Sequence, residues 1–243
     1  MAPLTRPWGP APATVELDGR GRSTREINQA LRASARSGVR RVDLLHPAAR
    51  HNLAVALFGD LQVTLRGSAG YYCAGMIDGP DVVVEGNCAT AVGEGMLSGR
   101  IRVEGHAGGS AGAAIRGGTR VVARDAGARV GIGMKGGLIV VGGAAGYMTG
   151  FMMQRGTIVI CGDAGEALGD SMYEGRIYVG GRIGGLGHDA VERPLDGADS
   201  AVLEAARAAL GRDLPLARFR RIESGRRLWN FSTKEIGLWR AVL

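Results

Sequence analysis

Glycine returns about every nineteen residues through the middle of this chain, and that period constrains the fold more than any other feature of the sequence. Units open at Gly59, Gly79, Gly99, Gly118, Gly137, Gly156 and Gly175, at spacings of 20, 20, 19, 19, 19 and 19 residues. Laid over one another they give columns. Ile101, Val122 with Val121 beside it, Ile139, Ile158 and Ile177 come early in each unit, followed two residues on by Val103, Val141, Ile160 and Val179. Alternation with period two marks a strand with one buried face. A small-residue column follows at Ala107, Ala126, Ala145 and Ala164, with glycines just after it and again at Gly112, Gly131, Gly150 and Gly169. Glycine suits corners where the backbone must reach positive φ. An apolar column of Met76, Met96, Ile115, Met134, Met153, Met172 and Val191 closes the unit.

So short a period, with strand and corner but no helical pattern, predicts a solenoid of stacked β coils. Helical repeats need 33 residues or more, and the Leu/Asn ladder of a leucine-rich repeat is missing. The expected fold is all-β: a single-stranded, right-handed parallel β-helix of about 19-residue coils with short helical caps. Seven or eight coils stacked at about 4.8 Å make a prism on the order of 35 Å long, with the methionines as core. Gly93, Gly95, Gly112, Gly131, Gly133, Gly150 and Gly169 are its structural glycines.

Four regions follow from this reading. Residues 1–22, rich in proline at the start, read as a loose N-terminal arm. Residues 23–58 hold a capping helix, Thr24 to Ser37, and a degenerate first coil without corner glycines. The β-helix occupies 59–193. A second helix, Asp199 to Leu210, and a basic aromatic tail make up 194–243 and are expected to cover the far end, since an open coil exposes an unpaired strand edge.

Net charge is +7, carried by 28 arginines and only two lysines, Lys135 and Lys234. The arginines are scattered among 23 acids without an aromatic stacking pattern, which disfavours nucleic acid and favours an acidic protein partner. Cys73, Cys88 and Cys161 show no CxxC spacing and read as buried thiols of a cytoplasmic protein. The uncharged run 136–153 is long enough to span a bilayer, but its six glycines sit at repeat positions, so it reads as a coil with an apolar exterior rather than a membrane segment.

Apparent catalytic motifs dissolve against the repeat. Gly108-Gly109-Ser110-Ala111-Gly112 spells a nucleophile elbow, yet its outer glycines belong to the glycine columns. Gly131-Ile132-Gly133-Met134-Lys135-Gly136 spells a dinucleotide fingerprint but leads into a strand, not a helix. His46, His51, His106 and His188 are not spaced to meet across coils and read as solvent-facing. Asp163, Glu166, Asp170, Glu174, Asp189 and Glu192 leave open a carbohydrate-active β-helix with carboxylates on neighbouring coils. Candidate partner contacts are Tyr71, Tyr72, Lys135, Tyr147 and Phe151 on the coils and Trp229, Phe231 and Trp239 in the tail.

The coil consensus, AVGEGMLSG at 91–99, VGIGMKGGLIVVG at 130–142 and MTGFMMQRGTIVICGDAG at 148–165, resembles the GXGXG domain of glutamate synthase large subunits. The resemblance covers roughly 40–193. A chain of this size with the basic ESGRRLWNF tail looks most like the separate β-helix subunit of N-methylglutamate synthase and related glutamate synthase-like systems. The β-helix subunit of formylmethanofuran dehydrogenase shares the coil and is the alternative within that lineage. The resemblance implies a non-catalytic scaffold, binding no cofactor or metal itself. It would join a class II amidotransferase-like subunit to a synthase subunit carrying FMN and an iron–sulfur cluster, and help form the ammonia or methylamine route. Ala2 stands where class II amidotransferases place their cysteine nucleophile.

Overall fold

A computed structural model of the protein describes residues 14–226. These form an 11-stranded sheet and two α-helices. In chain order the elements are β1 (Thr14–Asp18), α1 (Thr24–Arg36), β2 (Arg41–Leu45), β3 (Gln62–Arg66), β4 (Asp81–Val84), β5 (Arg100–Val103), β6 (Thr119–Val122), β7 (Lys135–Val141), β8 (Arg155–Ile160), β9 (Arg176–Val179), β10 (Ala190–Arg193), α2 (Gly197–Leu210) and β11 (Arg220–Ser224). From β1 to β9 each strand pairs in parallel with the next, so the chain is the parallel β-solenoid that the period predicted.

The register places two inward columns side by side. One runs Val42, Val63, Val82, Ile101, Arg120, Ile139, Ile158, Ile177, and the other Leu44, Leu65, Val84, Val103, Val122, Val141, Ile160, Val179. Every one of these side chains is buried. Ala69, Cys88, Ala107, Ala126, Ala145, Ala164 and Ile183 form a further ladder of single bridges. Burial of like side chains against like in the lumen supplies the main stabilisation.

The corners explain the glycines. In each full coil three alternate residues take positive φ, as at Ser110 (φ 57), Gly112 (φ 76) and Ala114 (φ 52). Alternation flips successive peptide planes: Ser110 and Ala114 donate to Ala128 and Ile132 on the following coil, while Gly112 donates to Val92 on the preceding one. The corner is thereby bonded in both directions. Gly93, Gly95, Gly131, Gly133, Gly150 and Gly169 hold the same left-handed conformation. Non-glycine residues hold it too, including Ala54 and Ala56 in the first coil, which explains how that coil forms without corner glycines.

Three expectations are corrected. Thr14–Asp18, inside the stretch read as a loose arm, is strand β1, because its TVELD alternation pairs residue for residue with β2. Met76 is 47% exposed. Ile77 occupies the inward column instead, because Leu57 and Ile77 stand two residues, not three, before their unit glycines. Cys161 is only half-buried, unlike Cys73 and Cys88.

Helix α1 is set by a capping box between Ser23 and Glu26 and buries Ile27 and Leu31. Asn28 fixes it to the first coil, donating to Asn52 O at 2.7 Å and accepting from Ala54 N at 2.8 Å. Helix α2 lies along the outside of the sheet. The outward positions Val121, Val140, Val159 and Tyr178 are apolar there, and Leu203, Ala206, Leu210, Leu214 and Phe219 cover them. Strand β11 then enters antiparallel between β9 and β10.

Candidate functional site

The corner segments turn one flank of the prism to solvent, and three register positions on it carry exposed apolar side chains. Tyr71 and Tyr147 share the first, which holds Thr90, Gly109 and Ala128 between them. Met76 and Met152 share the second, with Gly95, Ala114 and Gly133 between. Leu97 and Tyr173 share the third, with Arg116, Lys135 and Gln154 between. Members of each pair lie four coils apart, about 19 Å at normal strand spacing. The flank therefore bears two apolar ridges separated by a saddle of mostly small residues that also holds the exposed Arg129, with the cations Arg116 and Lys135 along one margin.

Local chemistry holds this surface stiff. Tyr71 stacks on His51, with ring centroids 4.4 Å apart, and its backbone N–H donates to His51 Nδ1 at 3.0 Å. Met76 and Met152 are fixed at φ 53 and φ 51 within the doubly bonded corners. Tyr72 and Phe151 are half-buried beside the ridges, and burial raises the Tyr72 phenol above its ordinary value. Lys135 opens β7 and is exposed. Five coil residues expected to meet a partner thus fall on or next to one flank. Trp229, Phe231 and Trp239 lie outside the described residues. Sequence reasoning missed Met76, Leu97, Met152 and Tyr173; the signal was their four-coil spacing, which the two tyrosines share.

A second flank carries a side-chain ladder. Ser68 Oγ, Asn87 Oδ1 and Asp125 Oδ1 accept the backbone N–H of Asn87, His106 and Ala144 on the next coil, at 3.0, 2.8 and 2.8 Å. Asp163 continues it to Arg182 N at 2.8 Å and also binds the Arg182 side chain, and these bonds hold its carboxyl below the usual range. A groove of about 510 Å³ lies here, lined by Ala144, Ala145, Asp163, Ala164, Gly165, Arg182, Ile183 and Gly184.

The carboxylates weighed for glycan chemistry are engaged separately. Asp170 accepts from His188 N and from Ser171, Glu174 pairs with Arg155, Asp189 accepts from Ser224 and Glu192 pairs with Arg220. Ser110 sits in a solenoid corner with no helix after it, and Gly131–Gly136 leads into β7. Among the described residues no group of three His, Cys, Asp or Glu could hold a metal ion, and no helix is long and apolar enough to cross a membrane.

Inside the prism one residue departs from the pattern. Arg120 occupies the inward column between Ile101 and Ile139, is fully buried, and none of its three side-chain nitrogens has a hydrogen-bond partner among the described residues. The columns read from sequence placed Val122 and Val121 at this level and stepped past it.

No known family profile matches the chain. Among curated proteins it is similar to Protein GlxC of Rhizobium meliloti (strain 1021), at 42% identity over 59 residues, which is 24% of this chain and 26% of that protein. The match thus spans about a quarter of either length.

Proposed function

We propose that this protein is the scaffold subunit of a glutamate synthase-type complex, most specifically of the N-methylglutamate synthase kind. In this reading it holds a class II amidotransferase-like subunit against an FMN- and iron–sulfur-binding subunit and walls the route of ammonia or methylamine between them. It contributes no catalytic group of its own and works in the cytoplasm without nucleic acid or membrane. The GXGXG-like coil motifs motivate the lineage, and the partial match to Protein GlxC adds a shared segment with a curated protein.

The observation that carries the scaffold role is the double-ridged flank. Tyr71, Met76, Tyr147 and Met152 stand between 43% and 54% exposed on a surface bonded coil to coil. Apolar and aromatic groups held at fixed spacing on a rigid body are what protein interfaces use. The test is gentle isolation of the tagged chain from its native cell, with mass spectrometry and flavin absorbance of what accompanies it. Recovery of an amidotransferase-like chain with a yellow flavoprotein supports the proposal. A molybdenum or tungsten enzyme would move the assignment to the formylmethanofuran dehydrogenase type. A colourless, partner-free monomer that cleaves glycans would refute both.

A further inference from the structure

We infer that the solenoid lumen around Arg120 is a binding site for one small monovalent anion of halide size. Arg120 springs from β6, but its guanidinium reaches back along the lumen to the corners of the two preceding coils. A Cβ added at Gly112 would lie 2.6 Å from Nη1, and one added at Gly93 would collide with Nη2. Glycine at both corners gives the head group its room. Neighbouring inward positions are small as well. Cys73, Val92 and Ala111 stand where the first and last coils carry Leu53 and Leu168.

Burial pulls the guanidinium down to about 10, which still leaves it charged at neutral pH. Among the described residues no carboxylate answers it; the groups that interact with it electrostatically are the Cys73 and Cys88 thiols. Cys73 keeps its proton, since its hydrogen bond to Cys88 and its burial push the thiol well up. Water could satisfy the N–H donors but not the charge, and a lone buried cation is among the costliest features a core can hold. A single anion meets both needs, because its charge balances the guanidinium and its lone pairs accept from several N–H groups. A divalent ion would exceed the one positive charge available.

The Arg120 side chain is fully buried, so the anion enters during folding and the test begins from unfolded protein. The full chain is refolded in bromide and crystallised, and a bromide anomalous peak is sought within hydrogen-bonding distance of the guanidinium. In parallel, melting temperatures are compared in bromide and in the bulky anion isethionate at equal ionic strength. Wild type should melt about 5 °C higher in bromide when the site is filled at a hundred times its dissociation constant. Arg120→Ile, which restores the column residue, should keep only the small shift due to surface arginines. A peak at Arg120 alone establishes the site even if the variant does not fold. Water density without an anomalous signal at that position overturns the inference, as does an equal bromide response in wild type and variant.

Discussion

Tyr178, on β9, donates its phenolic hydrogen bond to Asp199 Oδ1 at 2.6 Å, and both residues are buried. Asp199 also accepts from Arg221 of β11 at 2.8 Å and from the backbone N–H of Asp196, closing the capping box of α2. One carboxylate thus ties together sheet, helix and final strand. Asp199→Ala would leave Arg221 underpaired and Tyr178 without an acceptor. We expect a loss of about 3 kcal/mol in urea denaturation, against about 1 kcal/mol for Tyr178→Phe.

Alkali should attack the same point. Burial, with the hydrogen bond to Asp199 second, pushes the Tyr178 phenol from 10.0 up to about 12. A group with a raised folded value stabilises while protonated. Its contribution is complete below the unfolded value of 10.0 and is lost as pH rises towards 12. Denaturation midpoints between pH 10 and 12 should therefore fall in wild type and stay flatter in Tyr178→Phe.

In acid the sign reverses. Burial pushes the Asp199 carboxyl up, but its hydrogen bonds from Tyr178, Asp196 N and Arg221 outweigh this and lower it. The Arg221 side chain lowers Asp196, and the Arg182 backbone N–H followed by its side chain lowers Asp163. Stability from these groups is present above the ordinary carboxylate value of 3.8 and is lost as pH falls through their lower folded values. Acid unfolding followed by circular dichroism should begin only below that value.

Opposite changes within one corner should act in opposite directions. Gly112 has φ 76, and an added Cβ would stand 2.5 Å from Ile139 Cδ1. Gly112→Val should cost about 3 kcal/mol or more. Ala114, at φ 52 two residues on, pays the left-handed strain already. Replacing it with glycine should raise stability by about 0.5 kcal/mol, relief of the Cβ clash being partly offset by chain entropy. Thermal melting of both variants decides this.

On the double-ridged flank, Tyr147→Ser and Met152→Ser remove side chains that stand 48% and 43% exposed, outside the inward columns. Stability should stay within about 0.5 kcal/mol of wild type, while recovery of accompanying subunits in co-purification falls several-fold. Unchanged recovery would remove this flank from the interface.

Much of the fold was legible because a solenoid writes the same constraint repeatedly: Ile139, Ile158 and Ile177 report one column three times. Features that occur once were harder to see. β11 pairs antiparallel through the RRIES segment, whose arginines masked Ile222, the residue that continues the inward column above Ile177. β1 hid behind a proline-rich beginning. Met76 was misplaced because its coil differs by one residue after the corner, and a one-residue slip exchanges inside for outside. Arg120 was passed over because the column search followed hydrophobicity, where an exception is by construction invisible. The partner flank was half legible: its aromatic members drew notice, while Met76 was read as core and Met152 was passed over.

The reversed polarity of β11 also fixes how this molecule can change in length. Lying antiparallel against β9, it takes the edge on which the next parallel coil would stack, so no coil can follow β9 directly without displacing β11. Coils can be gained or lost within the run from β3 to β9. An event between the coils of Met76 and Tyr147 would move the two ridges apart or together by one strand spacing, about 4.8 Å. Coil number therefore acts as a ruler, and any body seated across both ridges reads it.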